Sequence, residues 1–312
     1  MKVLVTGGAG FIGSNLCRRL VSESQVDDVR VLDDFSTGYR DNLKGVEVEV
    51  VEGSILNDRA LLRAAKDRDA IVHLAALGSV PRSVADPLGS HDANATGTLK
   101  VLHTARNRGA HVVLASSSSV YGANPSLPKS EDMLCMPMSP YAVSKLAAEQ
   151  YAMAFANCYD LPVLPFRFFN VYGPRQMAGH AYAAVVPAFV SAALTGLPLP
   201  VNGDGEQSRD FTFVDTVTEV LSNAILNRVT AGPTNLAFGT RTSLNTMIAL
   251  LEDILGHPLA VERRAAREGD VKHSQAANDL LRANFPSVEA YPLREGLERS
   301  VQWMSEHRAV AK

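Results

Sequence analysis

Lys2-Val3-Leu4-Val5-Thr6-Gly7-Gly8-Ala9-Gly10-Phe11-Ile12-Gly13 decides the fold. The first five residues form a short apolar run, which reads as a strand buried on both faces. A helical pattern follows over Phe11–Ser22, so Gly7, Gly10 and Gly13 lie on a strand-to-helix turn. Glycine permits both the tight turn and a close approach of backbone to ligand. The helix N-terminus offers free N–H groups and a positive dipole end, which suit the pyrophosphate of a dinucleotide. A plain strand–helix turn uses the same glycines, so GxxGxxG gains its weight from its surroundings.

Those surroundings repeat the unit. Residues 29–33, 46–51, 70–76 and 111–117 read as further strands, and residues 57–65, 91–107 and 139–157 as helices. Strand–helix alternation with little period-two patterning implies an α/β fold, a doubly wound parallel sheet of the Rossmann type. Beyond Pro174 glycine and proline become frequent, around 196–205 and 231–239. Residues 1–173 are therefore read as a nucleotide-binding domain with a returning segment near 208–230. Residues 174–312 are read mainly as a smaller C-terminal α/β substrate lobe.

Composition is consistent with this. The 312 residues are 46% hydrophobic and 20% charged, enough for a large core. A net charge of −3 gives no basic surface for nucleic acid or acidic membrane. Cys17, Cys135 and Cys158 are scattered without metal-ligand spacing, as in a reducing cytoplasm, and no metal is expected. No uncharged apolar stretch reaches membrane-spanning length, so no membrane span is expected, and a strand pattern directly after Met1 leads us to expect no leader.

Twenty residues after Gly13 the second strand ends at Asp33. A carboxylate there accepts from both adenosine ribose hydroxyls and repels the extra phosphate of NADP, which favours NAD. Asp34-Phe35-Ser36-Thr37-Gly38 follows as a polar loop for the adenosine end. The sharpest chemistry lies in Ser139-Pro140-Tyr141-Ala142-Val143-Ser144-Lys145. Ser139 caps a helix, Pro140 suits its first position, and Tyr141 and Lys145 fall on one face. An ammonium beside the phenol, together with a nicotinium ring, favours tyrosinate. Lowering a tyrosine from about 10 to near 7 requires roughly 4 kcal/mol. The serines of Ser116-Ser117-Ser118-Ser119-Val120-Tyr121-Gly122 follow the fifth strand, at the sheet end where such folds bind ligands. One of these hydroxyls can relay a proton.

Together these segments resemble the extended short-chain dehydrogenase/reductases that act on nucleotide sugars. The likeness runs through His73-Leu74-Ala75-Ala76, Asn94-Ala95-Thr96-Gly97-Thr98 and Arg167-Phe168-Phe169-Asn170-Val171-Tyr172-Gly173-Pro174-Arg175, and reaches Asn202–Phe211 and Arg267-Glu268-Gly269-Asp270. The resemblance implies that Ser117, Tyr141 and Lys145 are catalytic. It implies NAD contacts from Gly7, Gly10, Phe11, Ile12, Gly13, Asp33, Phe35, Ser36, Thr37 and Gly38. Ser54, Ile55, Leu74, Ala75, Ala76, Asn94, Tyr141, Lys145 and Phe168 extend that set, and Tyr141 is also implied to touch the substrate. It implies substrate contacts from Ser79, Ser117, Ser118, Phe169, Asn170, Ala184, Val185, Val201 and Asn202. Arg209 and Arg267 would grip a diphosphate, Asp270 the nucleotide ribose, and Ser274 would face the sugar. A homodimer through a four-helix bundle is also implied, from helices near residues 96–107 and 139–157.

Within the family, hexose dehydratases carry Asp-Glu after the catalytic Thr, where this chain has Ser118 and Ser119. Serine titrates too high to replace a carboxylate, so the chain is expected to epimerise rather than eliminate water. Gly78-Ser79-Val80-Pro81-Arg82-Ser83 and Tyr182-Ala183-Ala184-Val185-Val186-Pro187 most resemble bacterial UDP-N-acetylglucosamine 4-epimerases. Ser274, small where epimerases of non-acetylated sugars often carry tyrosine, leaves room for an acetamido group. The expected reaction is C4 epimerisation of a UDP-hexose through a transient 4-keto sugar and bound NADH. UDP-glucose, UDP-glucuronate (through Arg82), a dehydratase, and a non-enzymatic NAD sensor stay as alternatives. Two positions depart from the family pattern: Ser54 replaces an aspartate near the adenine, and Gly78 a lysine.

Overall fold

The computed structural model describes residues 1–178, 184–265 and 272–307. Six strands in the first half are β1 (Lys2–Thr6), β2 (Asp28–Asp33), β3 (Glu49–Glu52), β4 (Ala70–His73), β5 (His111–Ser117) and β6 (Val163–Phe168). The remainder are β7 (Asn170–Tyr172), β8 (Leu199–Asn202), β9 (Ser208–Arg209), β10 (Phe211–Phe213), β11 (Thr234–Leu236), β12 (Thr242–Ser243) and β13 (Val261–Arg264). Helices α1 (Phe11–Ser22), α2 (Asp58–Ala64), α3 (Val80–Ala85), α4 (Pro87–His91), α5 (Gly97–Arg106) and α6 (Pro140–Tyr159) belong to the first half. They are followed by α7 (Val185–Thr195), α8 (Val214–Leu226), α9 (Leu244–Leu255), α10 (Asp279–Asn284) and α11 (Leu293–Glu306).

Seven parallel strands form the main sheet in the order β11-β6-β5-β4-β1-β2-β3. Chain direction along the sheet reverses between β1 and β4, and that switch point is where doubly wound sheets open a ligand crevice. The period-two geometry of a strand sends alternate residues to opposite faces. Val3 and Val5 thus join Leu16 on α1 and Val217 and Leu221 on α8 in one core. Leu4 and Ile71 join Val101 and Leu102 on α5 in the other. A third core gathers Tyr172, Phe189, Leu199, Phe213, Met247 and Leu297. Residues 214–226 and 234–236 return to the first half as α8 and the edge strand β11.

The helix read over residues 91–107 is broken in the structure. Pro87 starts α4, and a π-turn over Asp92–Thr96 precedes α5. The widened turn aims the Asn94 amide inward, where Oδ1 accepts from Leu77 N at 2.8 Å and Nδ2 donates to Leu77 O at 3.2 Å. Gly97 completes the turn against Ile55, whose Cδ1 would sit 2.4 Å from a Cβ there.

Candidate active site

A cleft of about 600 Å³ opens at the β1–β4 switch point. Gly7, Gly10, Phe11, Ile12 and Gly13 form one wall. Gly7 has φ +71° and its carbonyl would lie 2.2 Å from a Cβ on Gly13, so the turn closes only on glycine. Gly10 caps α1 without a side-chain hydrogen bond, leaving the first N–H groups of the helix to an anion. A pyrophosphate fits this cradle.

Asp33 Oδ2 accepts from Ala9 N at 2.9 Å and Oδ1 from Phe35 N at 2.8 Å. Burial pushes its carboxyl up, and those two hydrogen bonds pull it back. A carboxylate has about four acceptor sites, so both oxygens keep capacity for ribose hydroxyls. Asp33 is not itself among the lining residues, whereas Ser36, Thr37, Leu74, Ala76 and Phe168 are.

Several expected contacts are not among the residues lining the cleft. Phe35 stacks under the Arg40 guanidinium, 4.1 Å from ring centre to Cζ. Gly38 packs on Ala9, 2.9 Å from a hypothetical Cβ. Ser54 Oγ accepts from Leu56 N, while Ile55 is buried in the core beneath the sheet. Ala75 backs Gly7 rather than facing the cleft. Asn94 is 1% exposed and is spent on Leu77 and on Ser144 Oγ, 3.0 Å away, so it braces the site from behind.

Tyr141 and Lys145 line the cleft together, one turn apart on α6, whose cap is Ser139 Oγ accepting from Ala142 N. Burial pushes the Tyr141 phenol above its ordinary value, and a hydrogen bond from Ser117 pulls it down. Lys145 Nζ donates to the Ala115 carbonyl at 2.6 Å, and burial lowers its pKa to about 8. The expected depression of Tyr141 by Lys145 is therefore not present in the chain alone: desolvation dominates. Ser119 Oγ donates to Ser117 Oγ at 2.9 Å, which frees the Ser117 proton for Tyr141. Ser119 thus orients Ser117 from the turn that follows β5, without itself lining the cleft. Ser118 lies in the following 3-10 turn, outside the cleft lining.

On the substrate side Phe169 and Ala184 line the cleft. Ser79 caps α3 by accepting from Arg82 N at 3.2 Å, and Asn170 Nδ2 donates to the Asp210 carbonyl at 3.3 Å. Val201 is fully buried in the third core and Val185 packs against that core, and neither is among the residues lining the cleft. The Asn202 carbonyl accepts from Gln207 Nε2. Arg209 and Ser274 meet at Ser208, whose carbonyl accepts from Arg209 Nη1 and from Ser274 N, both at 3.0 Å. Arg241 donates to Ser208 Oγ and adds a cation that the sequence reading overlooked. Arg267, Asp270, Tyr182 and Ala183 lie outside the described residues.

The sequence reading also did not place Tyr39, Asn42, Arg175, Gln176 or Met177 in the lining. Tyr39 and Asn42 arrive at and within a short 3-10 helix, and Arg175, Gln176 and Met177 on the segment that follows β7. Among the described residues that line the cleft there is no aspartate or glutamate. No metal-binding cluster occurs among the described residues, and no helix there is long and apolar enough to cross a membrane.

Residues 3–237 match the model of the NAD-dependent epimerase/dehydratase family. The chain is 37% identical to a UDP-glucose 4-epimerase of Mycolicibacterium smegmatis, over 97% of this chain and 98% of that one. It superposes on a UDP-N-acetylglucosamine 4-epimerase of Methanobrevibacter ruminantium, solved with UDP-N-acetylmuramic acid. That match has TM-score 0.93 and 35% identity over 98% of both chains. A Bacillus cereus UDP-glucuronic acid 4-epimerase, solved with UDP-glucuronic acid and NAD, gives TM-score 0.91 and 29% identity over 98% of this chain and 100% of that one. A glycine cradle at the switch point, a carboxylate at the end of β2 and this degree of likeness lead to one assignment: the chain belongs to the NAD-dependent epimerase/dehydratase family and uses NAD.

Proposed function

We propose that this protein is a UDP-hexose 4-epimerase whose preferred pair is UDP-N-acetylglucosamine and UDP-N-acetylgalactosamine. The observation that carries the reading is a Ser117–Tyr141–Lys145 cluster in a cleft without a lining carboxylate among the described residues. Elimination of water needs an acid and a base besides the tyrosine, and serine hydroxyls cannot supply them near neutral pH. Epimerisation needs only one proton acceptor, returned to its starting state each cycle.

The glycine turn and Asp33 would hold NAD, which would supply reversible hydride acceptance from C4. Tyr141 takes the proton of the 4-hydroxyl, directly or through Ser117, and gives it back after the sugar has turned. The Ser119–Ser117 hydrogen bond keeps the relay pointed at the phenol. Lys145, fixed on the Ala115 carbonyl, keeps an ammonium within the site. Positive charge is what offsets the desolvation that pushes Tyr141 up, so cofactor binding and base activation are coupled. Arg209, Arg241 and Lys272 gather around Ser208, and the pKa of His273 beside them is lowered by burial and by these cations. That cluster, with Arg267, suits the sugar diphosphate, while Ser274 beside Arg209 leaves space next to it for an acetamido group. Helices α5 and α6 are proposed to pair two copies.

Arg82 in the cleft lining favours a second reading, a uronate carboxylate on the sugar. Equal concentrations of the UDP derivatives of N-acetylglucosamine, glucose and glucuronate, assayed in parallel, separate the two. The N-acetyl sugar is expected to show the highest kcat/KM. A preference for the uronate would transfer the assignment to Arg82, and turnover of none would remove the epimerase reading.

A further inference from the structure

Arg175 follows β7 at the corner Gly173-Pro174-Arg175 and lines the cleft. Its φ of +71° lies in the left-handed region, which residues with side chains seldom adopt. Among the described residues it forms no ion pair, and its hydrogen bond is a donation from Nη1 to Asn15 Oδ1 at 3.1 Å. Asp215, the carboxylate that acts on it most, is bonded to Arg299. Burial lowers the Arg175 pKa to about 10, and the charge of Arg18 pushes the same way. A partly desolvated guanidinium with a neutral partner has unspent capacity for an anion.

Asn15 decides which anion. Its Nδ2 donates to the Phe11 carbonyl at 2.9 Å and to the Pro174 carbonyl at 3.0 Å. One amide, 8% exposed, therefore ties the corner that carries Arg175 to the first turn of α1. That is the helix whose capping residue, Gly10, supplies no side-chain acceptor. The fixed cation and the free N–H groups border the same cleft.

We propose that Arg175 is a cofactor-retaining residue: its guanidinium, held by Asn15, binds the diphosphate of NAD at the N-terminus of α1. The role rests on NAD occupying the glycine turn and is independent of which sugar is turned over. It accounts for an arginine at a backbone position that glycine would occupy without strain. The nucleotide sugar also carries a diphosphate, so the test must tell the two apart.

The test is calorimetric titration of nucleotide-free protein with NAD, and of NAD-loaded protein with UDP, for the wild type, Arg175→Gly and Arg175→Lys. Glycine suits the left-handed backbone, so Arg175→Gly is expected to keep the thermal stability of the NAD-free protein. Its Kd for NAD is expected to rise about ten- to hundred-fold, with a weaker dependence on salt. Arg175→Lys should fall between, because an ammonium keeps the charge and loses the fork. UDP affinity should change by less than about two-fold. Weakened UDP binding with unchanged NAD binding would assign Arg175 to the sugar nucleotide and overturn the proposal. So would unchanged binding of both, or a loss of NAD affinity matched by a loss of stability in the NAD-free protein.

Discussion

Tyr141→Phe is expected to lower turnover by about 10²–10⁴-fold, the usual contribution of a positioned general acid–base group. The substitution removes one oxygen from a half-buried ring on α6 and leaves the Ser139 cap intact. NAD content and thermal stability should stay within error of the wild type, because the phenol is not part of the core. Ser117→Ala should cost less, since Tyr141 can reach the sugar hydroxyl without the relay. The pH profile adds an independent readout. Burial holds the phenol above its ordinary value in the chain alone, so any base active near neutral pH must be activated by bound cofactor. The wild-type rate should rise with pH as tyrosinate forms, and that limb should vanish in Tyr141→Phe. Steady-state kinetics from pH 5 to about 10 would show it. A variant with full turnover would remove Tyr141 from the chemistry.

Glu149→Leu is expected to destabilise the protein by about 3–5 kcal/mol, the cost of leaving a buried charge without its partner. Arg167 Nε and Nη2 fork onto the two oxygens of Glu149 at 3.0 and 2.7 Å, with Glu149 fully buried and Arg167 3% exposed. Ser116 Oγ donates to the same carboxylate at 2.7 Å, and Tyr121 links Arg167 to Asn235 on β11. The pair thus bolts α6, which carries Tyr141, to β5 and β6. Converting both members, Glu149→Leu with Arg167→Met, should recover part of the loss, because an apolar pair needs no compensating charge. Urea unfolding of the two variants decides the matter. A single variant as stable as the wild type would mean that water reaches the pair.

Much of the first half was legible because its signals are local. A strand, three glycines and a helical pattern within the first 22 residues specify β1, the turn and α1, and Phe11–Ser22 is the helix observed. Tyr141 and Lys145 were legible for the same reason, as i and i+4 positions after a capping serine. Strand β6 is less legible, because Pro165 within it lacks the N–H that a central strand donates. The structure accommodates it because β11 pairs only with Phe166–Phe168. The π-turn that carries Asn94 has no signature in local propensity, so the bonds of its amide to Leu77 are not legible in the sequence. Val201 carries a motif resemblance, and its side chain is buried in the third core. Arg175 reaches the cleft through an αL backbone and a side chain 160 positions away, and neither leaves a mark in the local sequence.

One measurement tests the central chemistry most directly. The NAD-loaded protein is incubated with UDP-N-acetylglucosamine in D2O, and the product is examined by proton NMR and mass spectrometry. Epimerisation by internal hydride return predicts a new galacto-configured anomeric signal, an unchanged mass and no deuterium at C4. Deuterium at C4 would show that inversion proceeds by exchange of that proton with solvent, and a product lighter by one water would show elimination; either result would contradict a 4-epimerase built on Tyr141 and bound NAD.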